Sequence, residues 1–175
     1  MDITRGRWRL AFLAVVLITC VGCDQATKQL AIDHLKGTPP QSYFGDLFRI
    51  QYAENPGAFL SLAANLPEDA RFWLLTVANS LVLLFVGVIV LVRKDIDRLS
   101  LIALTFILAG GVGNLIDRMT TQNGVVIDFL NLGIGGLRTG VFNVADMAIT
   151  AGFLLLLPFV FRRSEEPATV ANTGT

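Results

Sequence analysis

The chain is poor in the residues from which most hydrolytic sites are built. It has one histidine, His34, and two cysteines, Cys20 and Cys23. A metal centre needs several nitrogen, sulfur or carboxylate ligands converging on one point. A single imidazole makes a zinc enzyme a poor reading, and no metal or cofactor is expected. The cysteines lie three apart in an apolar run and read as inert buried thiols. Charge is also scarce. Charged residues make up 16% of the chain, against about 25% in an average soluble domain. Fourteen basic residues balance 14 acidic ones, and no basic run exceeds two adjacent residues. Nothing there offers a nucleic acid a footing.

What the chain has instead is apolar length. Hydrophobic residues make up 53% of 175 positions, which suits one compact membrane unit. Leu10–Cys23, Phe72–Val92 and Leu99–Ile116 carry no charge, and Val141–Phe161 carries only Asp146. A spanning helix needs about 20 mostly apolar residues. These runs predict four spans, over about 9–27, 72–92, 99–116 and 141–161. The loops 28–71 and 117–140 lie on one side, in a single domain over 1–163, with a disordered polar tail over 164–175. Arg and Lys are dense in the segments before span one, between spans two and three, and after span four. That side is expected to be cytoplasmic, with both termini.

The outer loops carry their own pattern. Asp24 to Leu35 lacks Pro and Gly and extends helix one, until Gly37-Thr38-Pro39-Pro40 breaks it. Tyr43 to Ala53 alternates as short strands do, and Val125–Phe129 is a β-prone run before a Gly-rich loop over Gly133–Gly140. The expected fold class is therefore a mainly α membrane protein with a small β-rich outer cradle. Met1–Cys23 also resembles a cleavable leader, with Gly22-Cys23 as a lipoprotein-like junction. Three further apolar spans favour an uncleaved anchor.

Ionisable groups inside spans are costly and tend to be functional. Asp146 lies five residues past Val141, which puts it roughly 7–8 Å into the fourth helix at about 1.5 Å per residue. Asn143 shares its face at i, i+3. Asn114 and Asp117 share a face of the third helix, after the close-packing glycines Gly110, Gly111 and Gly113. Asp117 and Arg118 read either as an ion pair capping that helix or as a brace for a nearby centre. Asp128 stands only 18 positions before Asp146, and topology brings both to one membrane face. Two carboxylates held together cannot both ionise easily, so one keeps a proton near neutrality. One can then take a proton from water while the other protonates a scissile carbonyl. Ser42 or Ser61 with Lys28 or Lys36, or with His34, have no spacing that ties them together.

Five segments carry a resemblance. Asp24-Gln25-Ala26-Thr27-Lys28, Asn55-Pro56-Gly57-Ala58-Phe59, Gly110–Arg118, Val126-Ile127-Asp128-Phe129 and Phe142-Asn143-Val144-Ala145-Asp146 occur in this order. The chain resembles the lipoprotein signal peptidase family (signal peptidase II) from Asp24 to Asp146. Phe59 stands four residues after Asn55, one closer than in the family pattern. The resemblance implies an aspartic endopeptidase with Asp128 and Asp146 as its catalytic pair. It also implies a multi-pass protein of the bacterial inner membrane, with the site at the outer, periplasmic face. The implied substrate is a diacylglyceryl-modified lipoprotein precursor, cut just before the lipidated cysteine. Membrane lipids are the other partners, and a monomer is expected. Asn55, Gly57, Asn114, Asp117, Arg118, Asn143 and Ala145 are implied as supporting or substrate-binding residues. Asp24 and Lys28, at i, i+4, are expected to pair along helix one in a mainly structural role. A small proton-coupled transporter relaying through Asp146 and Asp117 is the alternative. The absence of an internal repeat weakens it, and a non-catalytic scaffold is weaker still.

Overall fold

The computed structural model describes residues 6–57 and 67–162. Within them the chain runs α1 (Gly6–Leu35), β1 (Gln41–Tyr43), β2 (Phe48–Asn55), α2 (Glu68–Val92), α3 (Arg98–Thr120), β3 (Val126–Ile134), β4 (Leu137–Arg138) and α4 (Val144–Arg162). A short 3-10 turn at Gln122–Gly124 joins α3 to β3. Gly6–Leu35, Asp69–Val92 and Arg98–Thr120 are long and apolar enough to cross a membrane, and the apolar part of α4, Val144–Pro158, is shorter. The expected tail over 164–175 and Phe59 lie outside the described residues.

The first helix continues without a break through Gly22-Cys23 to Leu35. At 1.5 Å per residue it reaches roughly 45 Å, longer than the ~30 Å hydrocarbon layer. Its extension supports the sheet. Ala31 and Leu35 form a buried cluster with Phe129, and Ile50, Tyr52, Leu130 and Val144 pack around it. The cysteines depart from expectation: Cys20 is half-buried and Cys23 exposed. Successive helical residues point about 100° apart, so the turn that buries Asp24 turns Cys23 outward.

The sheet is an antiparallel meander in the order β1-β2-β3-β4. β2 and β3 come from different loops, and their register sets Ala53 opposite Asp128 and Asn55 opposite Val126. The expected Gly-rich loop is instead a hairpin. Ile134 pairs with Leu137, and Gly135 supplies the positive φ (58°) that a two-residue turn demands. Arg138 Nη1 ties this hairpin to the β1–β2 turn by donating to the Asp46 carbonyl (2.8 Å).

The fourth helix begins three residues later than the apolar run suggested. Phe142 and Leu130 exchange N–H···O bonds of 2.8 Å each way. That pairing holds Val141–Asn143 in an extended path beside β3. Asp146 therefore stands in the first turn of α4, not deep within a span.

Helix α3 is the centre against which the other three pack. Its glycines make each approach possible. A Cβ on Gly110 would meet the Ala145 carbonyl of α4, one on Gly111 would meet Leu83 of α2, and one on Gly113 would lie 2.7 Å from the Asp24 carboxylate of α1. On α4, Gly152 admits the Ala103 carbonyl in the same way. At the end away from the sheet, Leu13, Val90 and Leu101 form a second buried cluster. There Arg9 Nη1 donates to the Arg93 carbonyl (2.6 Å) and Nη2 to the Val90 carbonyl. These are unsatisfied carbonyls at the C-terminus of α2, so the buried guanidinium locks α1 to α2.

Gly110→Ala should lower the melting temperature in detergent by several degrees. The added methyl meets backbone that cannot move aside, and overpacking of this kind costs about 1–3 kcal/mol. Gly87→Ala is the control, since its Cβ would meet only Leu108 Cδ1 at 4.0 Å. Equal melting of the two variants would refute this account of the α3–α4 contact.

Candidate active site

The start of α4 builds half of the site. Asn143 immediately precedes the helix, and its Oδ1 accepts from the Asp146 N–H (2.9 Å). In return the Asn143 N–H donates to Asp146 Oδ2 (3.2 Å). This reciprocal pair is a capping box, which satisfies two N–H groups that a helix start leaves open. With its Oδ1 so engaged, Asn143 turns its amide nitrogen toward β3. Nδ2 donates to Asp128 Oδ1 (2.7 Å) and also lies 3.1 Å from Asn114 Oδ1 and 3.3 Å from the Ile127 carbonyl. Asn143 is fully buried. Asn143 thus bridges the two carboxylates, its main-chain N–H on Asp146 and its side chain on Asp128.

Strand pairing builds the other half. Asp128 is 1% exposed on β3. Across an irregularity in the β2–β3 register, Asn55 Nδ2 donates to Asp128 Oδ2 (3.0 Å). The Gly57 N–H donates to Asn55 Oδ1 (3.2 Å), which leaves the amide nitrogen as the end that faces Asp128. Burial first, and the negative charge of Asp146 second, push the Asp128 carboxyl up to about 7. Hydrogen bonds from Asn55 and Asn143 and the charge of Lys28 oppose that rise.

Beneath the pair lies a buried ionic layer. Lys28 Nζ stands 2.8 Å from Asp24 Oδ2, 2.9 Å from Asp117 Oδ2 and 3.0 Å from Asn114 Oδ1. Asn114 Nδ2 donates to Asp146 Oδ1 (2.8 Å). Each carboxylate of the layer also receives a backbone N–H. Ala145 donates to Asp24 Oδ1 (2.8 Å) and Ile127 to Asp117 Oδ2 (3.0 Å). The layer therefore fixes the backbone one residue before each aspartate of the pair. Asp24 and Lys28 do pair, as expected, but as members of this larger cluster.

The Asp117–Arg118 ion pair offered by the sequence is not what forms. Adjacent helical residues diverge, and Asp117 turns to Lys28. Arg118 donates instead to the carbonyls of Gly124 (3.1 Å) and Gly57 (3.5 Å), joining the α3–β3 turn to the end of β2. Asn55, Asn114 and Asn143 all reach the aspartates. Gln25 was missed as a site residue: its Nε2 donates to Asp117 Oδ1 (2.9 Å) and lies 3.2 Å from the Gly113 carbonyl. An amide beside Asp24 near the end of an apolar helix was the available signal.

Comparison with known proteins agrees with this geometry. A family model described as signal peptidase (SPase) II matches residues 16–162. A lipoprotein signal peptidase of Borrelia hermsii (strain HS1 / DAH) is 36% identical over 162 residues, covering 90% of this chain and 92% of its own. Another, of Borreliella burgdorferi (strain ZS7), is 36% identical over 152 residues, covering 84% and 88%. Two solved structures of bacterial membrane enzymes share the fold. One has a TM-score of 0.77 at 21% identity and covers 91% of this chain and 93% of its own. The other has 0.75 at 22%, covering 87% and 94%. The chain belongs to the signal peptidase II family of aspartic peptidases.

Proposed function

We propose that this chain removes signal peptides from diacylglyceryl-modified lipoprotein precursors, cutting just before the lipidated cysteine, with Asp128 and Asp146 as the catalytic pair. The observation that carries this reading is Asn143, which hydrogen-bonds both carboxylates at once. The charge of Asp146 also acts on Asp128, and two carboxylates coupled in this way share one proton near neutrality. The ionised member takes a proton from water as the water oxygen attacks the scissile carbonyl carbon. The protonated member gives its proton to the carbonyl oxygen. In the second half the tetrahedral species collapses and the C–N bond breaks. The carboxyl that took the water proton gives it to the leaving nitrogen, and the other carboxylate takes back a hydroxyl proton as the carbonyl re-forms, restoring the pair. No covalent intermediate is required.

The proposed setting is a four-span monomer over residues 1–163, with both termini cytoplasmic and the pair at the periplasmic face of the inner membrane. In support, α4 has 19 residues, about 28 Å of helix, close to the hydrocarbon thickness. The sparse Lys and Arg of the two sheet-bearing loops favour the outer side for the pair. A substrate that is itself a lipid-anchored membrane segment meets the enzyme at that surface. Lipids flank the exposed apolar faces of the helices, and Arg118, Gly57 and Asn55 line the approach for the precursor backbone.

Purified protein in detergent should cleave a diacylglyceryl-modified precursor, and Asp128→Asn and Asp146→Asn should each lower kcat by about 10²-fold or more. Thermal melting would verify that each variant is folded. Near-normal cleavage by either folded variant would remove that aspartate from the pair. The pH profile is a second check. The Asp128 carboxyl is pushed up to about 7, so the pair loses the proton it shares as pH rises through that value. kcat should fall on the alkaline side of about 7, with apparent values that belong to the pair. A rate that stays level to pH 9 would contradict the shared-proton mechanism.

A further inference from the structure

The proposed function leaves open which aspartate holds the proton, and the ionic layer under the site decides it. An ammonium offers three N–H donors and no acceptor. Lys28 Nζ has three partners within 3.0 Å: Asp24 Oδ2, Asp117 Oδ2 and Asn114 Oδ1. Because Lys28 can only donate, Asn114 must present its oxygen to it. The Asn114 amide then has no freedom to flip, and its nitrogen is aimed at Asp146 Oδ1 at 2.8 Å. The other oxygen, Oδ2, receives the Asn143 N–H at the start of α4. A helix N-terminus favours negative charge.

The surroundings of Asp128 differ. It sits on a strand, with no helix end behind it, at 1% exposure. Among the described residues, its two oxygens receive hydrogen bonds from side-chain amides, those of Asn143 and Asn55. No cation stands within ion-pair distance of it among the described residues. We propose, resting on the peptidase reading, that Lys28, acting through the Asn114 amide, makes Asp146 the base of the pair and leaves the proton on Asp128.

Lys28 is then a positioning residue, not a catalytic one. The charged groups that face it are Asp24 from α1 and Asp117 from α3, with Asp146 of α4 beyond Asn114 and Asp128 of β3 beyond Asn143. Arg118 of α3 is also buried; its charge acts on Asp128, Asp117 and Asp146, but its hydrogen bonds go to the carbonyls of Gly124 and Gly57. Asp24 and Asp117 are each anchored by a backbone N–H as well. The ammonium is therefore held from both sides and cannot follow a substrate away from Asn114. In the reaction, Asp146 takes the proton of the attacking water, and Asp128 delivers its own to the carbonyl oxygen.

The test is the pH dependence of kcat for diacylglyceryl-precursor cleavage by Lys28→Met and Asn114→Asp, beside wild type. Lys28→Met removes the cation and frees the amide. Asn114→Asp keeps an oxygen for Lys28 but loses the donor to Asp146, in a side chain of the same shape. Both should lower kcat by about 10²-fold or more while KM for the precursor changes less than about threefold. In both, the acidic limb should move to higher pH, because the base ionises less readily. A structural role alone would lower melting temperature and leave the limb in place. An unmoved acidic limb in folded Asn114→Asp would overturn the proposal, as would a shift confined to the alkaline limb. If Lys28→Met does not fold, Asn114→Asp decides alone. Failure of wild type to cut the precursor would refute the peptidase reading instead, which is a distinct result.

Discussion

The structure depends on one buried ammonium group. Asp24, Asp117 and Asp128 are at most 3% exposed, and burying carboxylates without compensation is costly. Lys28, itself 2% exposed, compensates two of them directly. Because its partners sit on α1 and α3, the same contact joins the two helices beneath the site. The backbone N–H groups of Ala145 and Ile127, and the Gln25 amide on Asp117 Oδ1, add further hydrogen bonds to those carboxylates. The ionic layer thus holds α4 and β3 by their main chains, and the two aspartates ride on those elements.

Such a layer requires helices that approach closely. Gly113 faces Asp24 directly, and no other residue would leave space for that carboxylate at its observed distance. Gly110 serves the α4 contact and Gly111 the α2 contact. Three glycines in four positions look like a general device for tight packing. Here each one faces a different helix. Polar satisfaction and steric clearance are therefore one requirement, met within one turn of α3.

Much of this was legible in the sequence, for identifiable reasons. Uncharged runs gave α1 to α3 because bilayer helices tolerate few charges. The Asp24–Leu35 extension and the strands around Phe48–Ala53 followed from missing breakers and from alternation. The start of α4 was misplaced because the bond between Phe142 and Leu130 is long-range, and an apolar run does not reveal that its first residues pair with a strand. The Gly133–Gly140 stretch read as a loop for the opposite reason. Its Gly-Gly pair is a hairpin signal, but the strand partners around it are short. Asp117 and Arg118 were offered as a pair because they are neighbours in sequence, whereas helix geometry sends neighbours to different sides. Gln25 escaped notice because an amide among stronger charges carries little weight until its acceptors are known.

The strand pairing that brings Asn55 to Asp128 has a consequence for the life of the nascent chain. β2 and β3 are separated by α2 and α3, so the Asn55–Asp128 contact cannot form until both of those helices have been made and placed. Asp146 follows later still, on α4. During synthesis the polypeptide therefore carries isolated aspartates that lack their amide partners. The hydrogen bonds by which Asn143 joins the two aspartates therefore form only after α1 to α3 have been made, and a chain that stops short of α4 lacks them.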